Sequence, residues 1–308
     1  MTIKLLDRYR GCMIGLAVGD AVGTTLEFKK PGTFIPIDDM TGGGQFNLRA
    51  GEWTDDTAMT LCLAESLVES KGMSARDQMK RFVRWYRQGH LSSHGECVSI
   101  GNTVRQAIES FERNDDPFAG PTNEANSGTG SLMRIAPIAL YFRTTPAVAI
   151  AHASDASRTT HGARACLDAC RYFTALLIGA LEGNTRDELL APRFEPIPGL
   201  WSDHPLEERI DAIAQGSYKG KMPPQIRGDG FVVHALEAVL WAFHRATDYR
   251  HGLLQVVNLG EDADTTGCIY GALAGAHFGV DAIPDRWRAK LVKRMIIEKF
   301  ASSLLDRL

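Results

Sequence analysis

The sequence predicts an all-α protein, and three observations lead there. Apolar residues recur at helical spacing through most of the 308 residues. The stretch 162–182 shows this most clearly, with Ala163, Cys166, Ala169, Cys170, Phe173, Leu176, Leu177 and Ala180 on one broad apolar face. No run of alternating β-branched residues offers a sheet. With 44% apolar and 23% charged residues the balance is that of a globular chain long enough for a full core.

In chain order the candidate helices cover 7–21, 55–70, 74–88, 100–113, 130–142, 146–155, 162–182, 205–215, 230–246, 250–258, 263–277 and 285–305. The first runs into glycines through 15–27, which reads Gly-Leu-Ala-Val-Gly-Asp-Ala-Val-Gly-Thr-Thr-Leu-Glu. Alone, that is a helix C-cap followed by a surface glutamate, Glu27. The second opens on Thr54-Asp55-Asp56-Thr57 and continues with Leu61, Ala64 and Val68. The small-residue loop Asn126-Ser-Gly-Thr-Gly-Ser-Leu-Met-Arg134 feeds the 130–142 candidate. Arg158-Thr-Thr-His-Gly162 sets His161 at the start of 162–182. Six prolines between 192 and 230 mark an irregular excursion. Asp262-Ala-Asp-Thr-Thr266 opens 263–277, where Cys268, Ile269, Ala272, Leu273 and Ala276 continue the helical pattern. Gly267, Gly271 and Gly275 stand four apart there and point to close helix packing.

A net charge of −3 gives no electrostatic footprint for nucleic acid or an anionic membrane. No window has the apolar length of a membrane span, and the start lacks an apolar leader region, so a cytoplasmic protein is expected. The six cysteines are scattered, mostly in apolar helical runs, and are expected as free thiols. His90, His94 and Cys97 lack a fourth ligand and read as loop residues.

The chemistry lies in the two acidic clusters about two hundred residues apart. A threonine before acidic residues is an ordinary N-cap signal. Four carboxylates with two hydroxyls, once brought together, make an all-oxygen site suited to a hard divalent cation. That meeting across 192–230 favours one domain spanning 1–308 with a long surface excursion. The glycine loop at 128–131, set before a helix, suits an anion such as a pyrophosphate. With no strand ahead of it, the Rossmann dinucleotide fingerprint is excluded.

Taken in order, Gly-Asp-Ala-Val-Gly with Glu27, Trp-Thr-Asp-Asp-Thr, Gly-Ser-Leu-Met-Arg with Ala136-Pro137, Thr-Thr-His, Gly-Phe-Val-Val-His-Ala-Leu-Glu-Ala at 230–238 and Asp-Ala-Asp-Thr-Thr resemble the ADP-ribosylglycohydrolases. Within them the sequence is most similar to the bacterial dinitrogenase reductase-activating glycohydrolase branch, over about residues 7–300. The resemblance implies a many-helix all-α fold with two Mg²⁺ (or Mn²⁺) ions. It implies Glu27, Thr54, Asp55, Asp56, Asp262, Asp264 and Thr265 as metal-site residues. Glu27, Asp56 and Asp264 are the expected catalytic carboxylates, Glu27 handling the proton or the water. Ser99, Asn102, Gly128, Thr129, Gly130, Ser131 and His161 are expected around the substrate.

The implied activity releases ADP-ribose from a modified target, with arginine favoured. The alternatives are an O-linked serine, a nucleobase or a small ADP-ribose derivative, or a non-catalytic ADP-ribose-binding or immunity protein. With the family core opening near residue 7, no inhibitory arm is expected ahead of it. Three positions depart from the branch. Ser99 stands where Asp is usual, Thr129 where Asn is usual and Phe231 where Tyr is usual. A serine recognises a guanidinium less well than a carboxylate does, so weaker selection of arginine is expected, with Glu96 placed to supply the missing charge.

Overall fold

The computed structural model describes residues 3–306. Its helices are α1 (Leu5–Gly23), α2 (Asp55–Ser70), α3 (Ala75–Gln88), α4 (Asn102–Asn114), α5 (Ala136–Tyr141), α6 (Pro146–Arg158), α7 (Arg164–Glu182), α8 (Arg186–Leu189), α9 (Leu200–Asp203), α10 (Glu208–Ala214), α11 (Val232–Arg245), α12 (Tyr249–Val257), α13 (Ala263–Phe278), α14 (Asp285–Lys290) and α15 (Arg294–Asp306). Two short 3₁₀ turns complete the helical inventory, and among the described residues there is no strand. The all-α reading holds. No helix among the described residues is long and apolar enough to cross a membrane.

Two helices form the axis of the fold. α1 is buried at every residue from Gly11 to Gly23, and α13 at every residue from Ala263 to Ala276. A helix apolar all round belongs in the middle of a protein, and these two lie against each other there. They run antiparallel at backbone contact. A β-carbon added to Gly11, Gly15 or Gly19 would fall 2.1, 2.3 and 1.9 Å from the carbonyl oxygens of Gly275, Gly271 and Gly267. The glycines of α13 are blocked reciprocally by those of α1. The close packing expected at 267, 271 and 275 is therefore present, with a matching glycine row on α1 as its partner. This seam sets the C-terminal turn of α1 beside the first turn of α13, which brings Asp20 to the Asp262–Asp264 cluster.

Several boundaries differ from the sequence reading. The 130–142 candidate becomes a turn through 130–134 followed by α5 alone, because Pro137 suits a first helical turn and Arg134 is drawn into the interior. The 285–305 candidate divides at 291–293, where Lys293 adopts a left-handed φ of 48° and the Val292 amide bonds the Gly51 carbonyl at 3.0 Å. Between 192 and 230 the chain carries α9 and α10, so the excursion is partly helical. The short α8 had no readable signal beyond its Thr185–Glu188 capping box. All six cysteines are free thiols, five of them buried.

Candidate functional site

The site is built from the helix ends that the glycine seam aligns. Asp20, on the last turn of α1, is fully buried at the unfavourable end of the helix dipole. Four donors from the start of α2 compensate it. The amide and hydroxyl of Thr54 each lie 3.0 Å from its Oδ1, and those of Thr57 lie 3.0 and 2.6 Å from its Oδ2. Thr54 is thus no ordinary N-cap. It makes no side-chain cap bond, and its hydroxyl also stands 3.1 Å from Asp56 and 3.5 Å from Asp264. Asp20, Asp56 and Asp264 each bring a carboxylate oxygen within 4.8 Å of the other two. Asp262 precedes α13, makes no cap bond either, and accepts the Thr129 hydroxyl at 2.9 Å.

Glu27 is 4% exposed, so it is no surface residue. Its Oε1 accepts the Ser99 hydroxyl at 2.7 Å, while its Oε2 is buried without a partner, as is Oδ1 of Asp56. Among the described residues no basic side chain pairs with any carboxylate of this cluster. Desolvation is the main reason their pKa values rise, with repulsion from neighbouring carboxylates adding to it for Glu27, Asp55, Asp56, Asp262 and Asp264. Asp20 and Asp262 move up to about 6 and Glu27 to about 7, and Asp55, Asp56 and Asp264 lie well above the usual carboxylate range. Because these folded values exceed the unfolded ones, the native state binds more protons between about pH 4 and pH 7. Metal-free protein should therefore lose stability as pH rises across that window. Melting in excess chelator at pH 5 and pH 8 checks this, and a higher melting temperature at pH 8 would refute it.

A cavity of about 540 Å³ opens over the cluster. Glu27, Asp55, Ser99, Asn102, Gly128, Thr129, Gly130, His161, Asp262, Asp264 and Thr265 line it. Asp20, Thr54 and Asp56 lie behind that wall. Ser131 does not reach it: its hydroxyl is fully buried, accepts from Ser157 at 2.8 Å and lies 3.5 Å from Cys170 Sγ. The Ser131 side chain therefore braces the loop from beneath. The expectation of a helix N-terminus behind this loop is also corrected, since α5 starts only at Ala136. Glu96 is exposed and absent from the lining, so it supplies no carboxylate to replace Asp at position 99. His90 pairs with Glu65 at 2.7 Å, as a structural loop residue would.

His161 is packed against the glycine loop. A β-carbon at Gly130 would lie 2.8 Å from its Cε1, so only glycine allows that approach. Burial drives its pKa down to about 3, which keeps the imidazole neutral, and Nδ1 lies 2.8 Å from the Thr160 hydroxyl. Two residues escaped the sequence reading as site candidates. Asp20 lay inside a quoted motif but sat near the end of an apolar helix, where nothing marks a carboxylate as buried. Arg134 is fully buried with no carboxylate partner. It donates to the carbonyls of Gly130 and Ala156 and to the hydroxyls of Thr159 and Thr160, and stacks 4.8 Å from the Phe82 ring centre. That fork ties the glycine loop to the His161 segment. Its only sequence signal is an arginine within an otherwise apolar run.

A second cavity, of about 600 Å³ between α6, α7 and residues 197–205, is larger. Its one buried carboxylate, Asp168, is already paired with Arg164 and Arg171, so the open acidic chemistry belongs to the smaller cavity.

Comparison with known proteins agrees with this architecture. The family model described as ADP-ribosylglycohydrolase matches residues 1–308. The chain is 39% identical to "ADP-ribosylarginine hydrolase Tri1" of Pseudomonas putida (strain GB-1), over 99% of this chain and 79% of that protein. It is 32% identical to "ADP-ribosyl-[dinitrogen reductase] glycohydrolase" of Rhodospirillum rubrum, over 92% and 90%. A solved structure titled "ADP-ribosylglycohydrolase-related protein complex" superposes with a TM-score of 0.86 at 40% identity, covering 98% of each chain. A family model matched over the whole chain, and these relatives over nearly all of it, mean that the chain belongs to the ADP-ribosylglycohydrolase family.

Proposed function

We propose that this protein is a metal-dependent ADP-ribosylhydrolase that releases ADP-ribose from modified arginine. The observation that carries the reading is one cavity in which an unpaired carboxylate cluster adjoins a glycine loop backed by a neutral histidine. Arginine as acceptor is favoured by the relatives named for ADP-ribosylarginine hydrolysis at 39% and 36% identity. In the reaction the ribose C1″–N bond breaks, water oxygen bonds C1″, and the departing guanidine gains a proton.

The donor set fits a hard divalent cation. Every donor is oxygen, the carboxylates have no counter-cation among the described residues, and one oxygen each of Glu27 and Asp56 is buried without a hydrogen-bond partner. We assign Glu27, Thr54, Asp55, Asp56, Asp262, Asp264 and Thr265, with Asp20 supporting them, to hold two Mg²⁺ or Mn²⁺ ions. Bound metal would supply charge stabilisation at the ribose and acidify a water. The protein's own part is positioning and proton handling. Glu27, buried beside the cluster with one oxygen free, is placed to take a proton from the attacking water. The backbone at Gly128–Gly130, held by Arg134, would carry the pyrophosphate, with neutral His161 beside it as a hydrogen-bond partner rather than a charge.

A second reading, hydrolysis of an O-linked serine, draws on Ser99, whose hydroxyl is committed to Glu27 and offers an acceptor no charge. Hydrolysis of arginine-linked and serine-linked ADP-ribose with Mg²⁺ and Mn²⁺ tests both. Release from arginine is the expected result, and release from neither linkage would overturn the proposal. His161→Ala should weaken ADP-ribose binding about tenfold, measured by calorimetry, while leaving the metal-induced rise in melting temperature intact. Loss of both would assign His161 to the fold instead.

A further inference from the structure

Two aromatic side chains at the rim of the site have no role in the reading above. Phe28 is 63% exposed and lines the cavity together with Phe46. Their ring centres are 6.4 Å apart with planes at 71°, an edge-to-face pair. Phe28 has a left-handed φ of 61°, a costly conformation for a bulky residue, and one that an exposed side chain does not impose. The surrounding backbone enforces it: the Phe28 amide donates to the Glu261 carbonyl at 2.7 Å, and the Glu261 amide donates to the Lys29 carbonyl at 2.8 Å. Phe46 is held as firmly. Gly43 and Leu48 exchange backbone bonds of 2.7 and 3.0 Å, closing a four-residue loop around it. Gly44 in that loop is pressed so tightly onto Thr24 that a β-carbon would lie 2.1 Å from its carbonyl oxygen.

The pair is therefore a rigid apolar feature turned outward beside the reacting carboxylate, since Phe28 follows Glu27 directly. Neither position weighed for reading the acceptor's charge brings a carboxylate to the cavity. Ser99 is neutral and bonded to Glu27, and Glu96 is exposed outside the cavity. Carried on the arginine reading of the site, we infer that Phe28 and Phe46 form the acceptor subsite and select a guanidinium through their ring faces. A planar cation stacks on an aromatic face and needs no carboxylate for it, whereas a neutral hydroxyl-linked acceptor gains little there.

The test uses Phe28→Leu and Phe46→Leu, which keep apolar bulk and remove the ring, with Phe28→Ala as the larger deletion. Substrates are free ADP-ribosylarginine and an ADP-ribosylserine peptide, and ADP-ribose binding is measured separately by calorimetry. Each Leu variant should lower kcat/KM for ADP-ribosylarginine about tenfold, mainly through KM. The serine-linked rate and ADP-ribose affinity should stay within twofold of wild type. Equal loss on both linkages would make the pair a mere wall, and loss of ADP-ribose affinity would place it against the adenosine end. Unchanged arginine kinetics would also overturn the inference. Wild type that binds ADP-ribose but hydrolyses neither linkage would instead bring down the function itself.

Discussion

Asp56→Asn should reduce turnover at least a thousandfold, and in excess chelator it should melt at a higher temperature than wild type. Both effects come from one geometry. Asp56 is 1% exposed, has an unpartnered oxygen, and shares a 4.8 Å neighbourhood with the carboxylates of Asp20 and Asp264. Without metal, desolvation and then the like charges of its neighbours oppose its ionised form, which is why its pKa is raised so far. A neutral amide of the same shape removes that repulsion and can donate to a neighbouring carboxylate. With metal, the lost charge costs affinity, and with it the several kcal/mol of transition-state stabilisation that a bound cation supplies. Wild type should therefore gain more from added Mg²⁺ or Mn²⁺ than the variant does, since a ligand stabilises the state it binds by its own affinity. Thermal melts with chelator and with metal, beside hydrolysis rates, separate these contributions. A variant that melts lower than wild type in chelator and keeps its metal response would show that the cluster is a hydrogen-bonded core and not a metal site.

The same carboxylates show how far the site could be read from sequence. Asp55, Asp56, Asp262 and Asp264 were legible because they open helices, where acidic residues are visible as a pattern; the structure sets Asp56 beside Asp264 and puts Asp55, Asp262 and Asp264 on one cavity wall. Asp20 was not, because its placement depends on the register between α1 and α13, a tertiary fact. Glu27 read alone as a surface residue after a helix cap, and only the turn through Leu26 and Phe28 buries it. The 128–131 loop was recognised by its glycines, but its mate was misjudged. Helical periodicity continued through Leu132 and Met133, whereas the buried fork of Arg134 draws the chain into a turn. Glu96 failed for a plainer reason. Three residues of sequence separation say nothing about direction once Ser99 takes a left-handed φ of 58°.

Gly271→Ala should be among the most damaging single-methyl changes in the protein, although alanine is the better helix former. Its β-carbon would lie 2.1 Å from the Gly15 carbonyl oxygen and 2.7 Å from the Gly15 carbonyl carbon, with Tyr249 Oη at 3.1 Å. The first two are backbone atoms of a buried helix and cannot swing aside. The Tyr249 hydroxyl is itself bonded to the Gly15 carbonyl at 2.7 Å. Relief requires α1 and α13 to separate along their length, which opens gaps at Gly11–Gly275 and Gly19–Gly267 and forfeits their packing. Helix propensity returns about 1 kcal/mol, and overpacking of a tight core costs about 1–3 kcal/mol or more. With two rigid helices in contact, the upper end applies, so net destabilisation should be about 2 kcal/mol or more and the melting temperature should fall by about 3 °C or more. Gly220→Ala, whose β-carbon meets nothing within 4 Å, is the control and should be neutral. The consequence reaches the site because the seam is what sets Asp20 beside Asp264. At a temperature where the variant is still folded, its metal-induced stabilisation should be smaller than that of wild type. A variant that is more stable than wild type, or that keeps the full metal response while destabilised, would show that the two helix ends are held in register by something other than the glycine seam.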